Sequence, residues 1–113
     1  MSDNAGGGRL VVYTNATPGQ DDEFNRWYDE VHIPEILALG PFTAAQRFRI
    51  ADSPGFEQKH RYLAIYEFEG DAGDAIAKLM AASEGRLTQS DAIQMDQAFM
   101  TVSTVLSPRF EAR

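Results

Sequence analysis

FNRWYDEVHIPEILALGPF, residues 24–42, holds the chain's one tryptophan and one of its two histidines. Wound as a helix, it places Phe24, Trp27, Tyr28 and Val31 in one apolar stripe about 100° wide. Asp22, Glu23, Arg26 and Glu30 fall on the opposite, solvated side. His32 comes at the border between the two, and Asp29, three residues earlier, is within side-chain reach of it. Pro34 lacks an N–H and pushes Ile33 away from the α region, so the helix is expected to kink or stop at His32. Two readings of His32 compete. An imidazole at a broken helix end, beside aromatics and one turn from a carboxylate, suits a reactive site. A boundary histidine satisfied by a carbonyl or by Asp29 suits a purely structural one.

Upstream, residues 10–14 (LVVYT) read as a first strand, apolar on both sides. Thr17-Pro18-Gly19-Gln20 resembles a helix start, with Thr17 as N-cap, Pro18 in the first position and Gln20 closing a capping box. Asp21, Asp22 and Glu23 suit the positive end of the helix dipole. A short helical piece from Pro34 to Leu39 ends at Gly40-Pro41. Downstream, 42–51 reads as a second strand, 52–60 as turn and loop, and 61–69 as a third strand. Strict alternation sets Phe48, Tyr62 and Tyr66 on one face, and Arg47, Arg49, Arg61 and Glu67 on the other. Asp71 is the N-cap of a second helix and Gly85 its stop. Residues 86–96 are irregular, a lid or a packed loop, and 99–106 alternate as a fourth strand ended by Pro108. The order β-α-β-β-α-β is α+β and ferredoxin-like, an antiparallel sheet with helices on one face. Leu63, Ile65 and the alternate residues of the first strand leave the other face apolar, as an interface would require.

The length of 113 residues sets a single domain. It is expected over 9–108, with a disordered Gly-rich tail at 1–8 and a short C-terminal tail at 109–113. The net charge of -7 disfavours nucleic acid and anionic membrane surfaces. The absence of cysteine excludes disulfides, thiolate nucleophiles and Cys-ligated metals, and it fits a cytoplasmic location. No apolar run is long enough to span a bilayer, and Met1–Gly8 has no hydrophobic signal region. Only His32 and His60 could ligate haem, and neither sits in a haem motif. His32 with Asp29 or Glu35 makes no closed metal set. No phosphate loop follows a strand and no Gly-x-Ser-x-Gly elbow is present. No metal or cofactor is therefore expected.

Residues 24–37, then FTAAQRF at 42–48, then RYLAIYE at 61–67, resemble in that order the dimeric α/β-barrel superfamily, and within it EthD-like and REDY-like members. The resemblance spans 10–106. It implies a homodimeric α/β barrel and a small cofactor-independent enzyme acting on an aromatic or polyketide-like molecule. The superfamily's isomerases, cyclases, lyases and monooxygenases set the range of reactions. A non-catalytic protein that binds a hydrophobic metabolite or an enzyme partner is the alternative, since fold does not decide activity. In the enzyme reading His32 is the acid/base, titrating near neutral pH, and Asp29 orients it. Tyr28 or Tyr62 donates to a developing enolate or phenolate. Trp27, Phe48 and Tyr66 join Tyr28 and Tyr62 in lining the pocket. Arg47 is either a substrate carboxylate clamp or a cross-strand partner of Glu67.

Overall fold

A computed structural model of the protein describes residues 7–113. Its elements are β1 (Gly8–Thr14), α1 (Asp21–Trp27), a π-helical turn (Tyr28–His32), α2 (Ile33–Leu37), β2 (Phe42–Arg49), β3 (Tyr62–Phe68), α3 (Ala72–Ser83), a 3-10 turn (Met95–Gln97) and β4 (Phe99–Thr104). The strands form one antiparallel sheet in the order β2-β3-β1-β4. This is the ferredoxin-like α+β arrangement expected from the element order. β1 begins at Gly8, inside the stretch expected to be tail. A Cβ there would lie 1.9 Å from the Ser103 carbonyl oxygen, so only glycine lets β1 and β4 close up. The rest of the expected disordered tail, 1–6, lies outside the described residues. Among the described residues no helix is long and apolar enough to cross a membrane.

The core lies between the helices and one sheet face. Leu10, Ala64, Tyr66 and Phe68 meet Phe24, Trp27 and Tyr28 from the first helical segment, Ile36 from α2, and Ala75 and Leu79 from α3. Each large apolar side chain buried this way contributes roughly 1.5–3 kcal/mol. α3 forms as its sequence signals imply: the Asp71 carboxylate accepts from the Asp74 N–H at 3.1 Å, satisfying one free donor of the first turn.

Three local expectations are corrected. The first helix starts at Asp21, not at Thr17. Gln20 N–H donates to the Thr17 carbonyl at 2.9 Å and Gly19 has φ +81°, the signature of a type II turn with Pro18 and Gly19 at its centre. The Thr17 hydroxyl is spent on the Asp91 carbonyl at 2.6 Å. Nor does the helix break at His32. It widens into a π turn, in which the Ile33 N–H reaches the Tyr28 carbonyl, and Pro34 falls in the first turn of α2, where a missing N–H costs little. The extra residue in the turn absorbs the proline without ending the helix.

The third correction concerns β2. A bulge between Phe42 and Ala44 interrupts the alternation. Phe42 faces the core, but beyond the bulge the inward positions become Ala45, Arg47 and Arg49, because Arg47 pairs with Ala64 and Arg49 with Tyr62. One extra residue inverts every following side chain. Phe48 therefore pairs with Leu63 on the outer face, where it is 42% exposed. It does not join Tyr62 and Tyr66. Among the described residues no helix covers that outer face. It carries Val11, Tyr13, Leu63 and Ile65, all partly exposed, with Phe48 at one side and Phe99 at the other.

Candidate functional site

A cavity of about 380 Å³ opens between the sheet, the first helical segment, α3 and the segment after it. Leu10, Val12 and Thr14 form its floor, alternate residues on the inner face of β1. Trp27, Tyr28 and His32 form one wall, and Tyr66 stands behind them. The π turn sets this wall. It brings His32 back against its own helix, stacked on Trp27 (ring centroids 4.6 Å, planes 23° apart) and edge-on to Tyr28 at 4.9 Å. Such pairs stabilise beyond their buried area.

The opposite wall is residues 87–98, most of it the irregular stretch 86–96 expected as a lid or a loop packed on the dimer edge. It is a strap fastened along its length. The Glu35 carboxylate accepts from both the Thr88 N–H (2.8 Å) and the Thr88 hydroxyl (2.6 Å). The Trp27 indole donates to the Thr88 carbonyl at 3.2 Å. Thr17 N–H donates to the Ala92 carbonyl, and Gln94 N–H to the Asn15 carbonyl. Asn15 also holds Gln97, at 2.8 Å. His60 is tied in as well: its Nε2 lies 2.7 Å from the Gln97 carbonyl, and its ring is beside Tyr13. These bonds to Thr88 hold the Glu35 carboxyl below its ordinary range. Glu35 thus fastens the strap to α2.

Apart from Phe48, on the outer face, the expected site residues divide into two groups. Trp27, Tyr28, His32 and Tyr66 meet at the cavity. Asp29, Arg47 and Tyr62 meet elsewhere. Arg47 donates to Asp29 at 2.9 Å and to Asn25 at 2.7 Å, with its guanidinium over the rings of Tyr28 (4.5 Å), Phe24 (5.3 Å) and Tyr62 (5.8 Å). It is a charged plug in the core margin, satisfied by hydrogen bonds and ring faces. Glu67 lies instead near Arg9, at 3.9 Å. The Tyr62 hydroxyl donates to the Asp21 carboxylate, so it is spoken for. Asp29 points to Arg47 and not to His32, because helical spacing brings a pair close but does not outbid a guanidinium with better geometry.

His32 accordingly has no carboxylate to orient it. Its Nδ1 is buried without a hydrogen-bond partner. Burial lowers its pKa from 6.5 to about 4; the Glu35 charge opposes that shift and the Arg47 charge adds to it. The ring is neutral at neutral pH, contrary to the expected titration near 7. Tyr66 donates to Tyr28 over 3.4 Å, long for a hydroxyl pair. Burial raises the pKa of both, with the tyrosines' mutual repulsion adding to the rise at Tyr66. Both hydroxyls stay protonated.

Several lining residues were not among the expected site residues: Thr14, Ser83, Gln89, Ser90, and three of the four methionines, Met80, Met95 and Met100. Thr14 had a signal, as the one polar residue in the alternate set Leu10, Val12, Thr14. The strap residues had none. Among the described residues no group of three or more His, Asp or Glu side chains could hold a metal.

A family model described as a domain of unknown function, DUF4286, matches residues 10–107. No curated protein matches the chain. Among solved structures, an EthD-like protein from Ralstonia eutropha is similar over 93% of this chain and 96% of its own, with 16% identity and a TM-score of 0.61. An Arabidopsis thaliana protein matches over 97% of both chains, with 14% identity and a TM-score of 0.57. A NipSnap family protein of unknown function from Agrobacterium tumefaciens covers 92% of this chain and 91% of its own, with 16% identity and a TM-score of 0.53. At these identities the likeness concerns the fold alone.

Proposed function

The chain belongs to the DUF4286 family, and on that footing we propose that it binds one small, largely apolar molecule, aromatic or polyketide-like, between its sheet and its helices. The observation that carries this reading is the cavity of about 380 Å³ walled by Trp27, Tyr28, His32 and Tyr66. It falls in the size range of small-molecule sites and has their composition, apolar walls with a few polar groups. A cofactor-independent reaction on the bound molecule is the second reading, whether isomerisation, cyclisation, lyase chemistry or oxygenation. It is favoured by two protonated tyrosines and an imidazole in one wall. In either case the working unit is a homodimer, joined through the apolar outer face of the sheet. Kinship with the REDY-like branch and a cytoplasmic location belong to the same proposal; the cysteine-free, acidic chain fits the latter.

The test is a screen of mono- and bicyclic aromatics and short polyketide mimics, followed by NMR of the protein. Bound members are expected to shift the Trp27 indole and the Thr14 and Tyr66 amides together, while Phe48, on the far face, stays fixed. A panel that moves none of the cavity residues counts against the site. Consumption of a bound member, lost in His32→Ala with binding retained, would raise the second reading above the first.

A further inference from the structure

The cavity lining contains no Asp, Glu, Lys or Arg. The two charged groups that act on His32 are already engaged, Arg47 with Asp29 and Asn25 and Glu35 with Thr88. A charged ligand would give up its hydration and meet no counterion, which is strongly unfavourable. The occupant must therefore be held by uncharged groups, and His32 is the most constrained of them. One face of its ring lies on Trp27 and its edge meets Tyr28. Nδ1 is sealed from solvent with no partner, which leaves Nε2 as the ring nitrogen with access to its surroundings.

That asymmetry decides where the proton sits. Buried N–H groups without an acceptor are rarer than buried acceptors without a donor. A proton on Nδ1 would make such an orphaned donor, and an imidazolium would add an unsolvated charge to it. The remaining form is neutral, with Nδ1 bare and the proton on Nε2. We propose that His32 is a fixed neutral hydrogen-bond donor through Nε2–H, and that the cavity selects an uncharged ligand presenting a carbonyl-type oxygen to it. Tyr28 and Tyr66 share one hydrogen bond between two hydroxyls, so one hydroxyl hydrogen is free to serve as a second donor. The site then offers donors and no base. It would hold a ketone, quinone or lactone oxygen, and it would polarise that oxygen without removing a proton from the ligand. This rests on the cavity being a ligand site at all.

Three probes of one size separate the two claims: 2-isopropenylnaphthalene, 2-acetylnaphthalene and 2-naphthoate. Binding is read from the Trp27 indole resonance in wild type and in His32→Phe, which keeps a stacked ring and removes the N–H. The expectation is that the ketone binds about tenfold tighter than the isopropenyl hydrocarbon, the worth of one net hydrogen bond, and that naphthoate binds more weakly than either. In His32→Phe the ketone's margin should vanish while the hydrocarbon binds as before. Long-range proton–nitrogen correlation on wild type adds a readout that needs no variant: Nδ1 should show a bare, pyridine-like nitrogen and Nε2 a protonated one. A protonated Nδ1, naphthoate binding as well as the ketone, or a ketone margin that survives in His32→Phe each overturns the inference while leaving the cavity reading intact. No binding by any probe, the hydrocarbon included, overturns both.

Discussion

At the scale of single residues, His32 ties stability to pH. An unfolded chain's imidazole takes up a proton below about 6.5, whereas in the fold it does so only near 4. Between those values the unfolded state binds more protons, so stability falls as the pH drops through the window, by roughly 3 kcal/mol in total. Urea unfolding of wild type and His32→Phe across pH 7.5 to 4 should show it. The difference between them should be constant above about 6.5 and shift steadily in the variant's favour below. Loss of the Glu35 bonds to Thr88 at low pH acts on both proteins; only the Glu35 attraction to a charged His32 ring differs between them. A difference unchanged between pH 7 and 4.5 would mean that the ring is not desolvated. The sequence singled out His32 beside Tyr28, one helical turn away, with Pro34 marking the spot; the stack on Trp27, five residues away, comes from the π turn, which periodicity does not show. It misassigned Asp29, because spacing along one helix says nothing about an arginine arriving from another element. Arg47 is that arginine, and its approach depends on a bulge that no residue type announces.

Among the elements, the strap at 87–98 is the one most exposed to single substitutions. It has little regular structure, and its hold on the first helical segment runs through Glu35, Thr88 and Trp27. Glu35→Ala removes two hydrogen bonds and frees the Thr88 end. The cost in global stability should be small, about 1 kcal/mol or less, since the bonds are solvent-accessible. Hydrogen exchange at residues 87–93 should nonetheless quicken well beyond that at β3, and probe affinity should fall because a cavity wall has loosened. Equal acceleration in strap and β3 would mean that the strap unfolds only with the whole protein. This segment was the least legible part of the chain, for a physical reason: its conformation comes from long-range bonds to Asn15, Thr17 and Glu35, and not from local propensity. By contrast α3 was read almost to the residue, since its signals, Asp71 and Gly85, are local. The π turn was half legible. Pro34 marked the right place, but a widened helix and a broken one leave the same trace in sequence.

For the whole molecule, the proposed homodimer rests on the outer face of the sheet. Among the described residues that face has no helix over it and gathers Val11, Tyr13, Leu63, Ile65, Phe48 and Phe99, beside Arg9, Gln46 and Glu67; apolar clusters rimmed by polar residues mark interfaces. A stable pair typically buries roughly 1,600 Å² in total. Light scattering at micromolar concentration is expected to give twice the chain mass of 12.5 kDa. Ile65→Glu, which sets like charges facing each other across a twofold interface, should yield monomers that keep the fold by circular dichroism. A wild-type monomer would sink the homodimer. The sheet order was readable from the element order, and so was the second apolar face. Which aromatic belongs to which face was not. That uncertainty has a consequence for comparing this chain with its relatives. Along β1, β3 and α3, residues matched column by column share an orientation. On β2 the bulge at Phe42/Ala44 adds one residue of length without adding one of phase. A relative that lacks it, aligned without a gap, would have its outward residues matched to Arg47 and its inward ones to Phe48. Roles carried across on that strand must therefore be transferred by facing, with a gap placed at the bulge, and not by position.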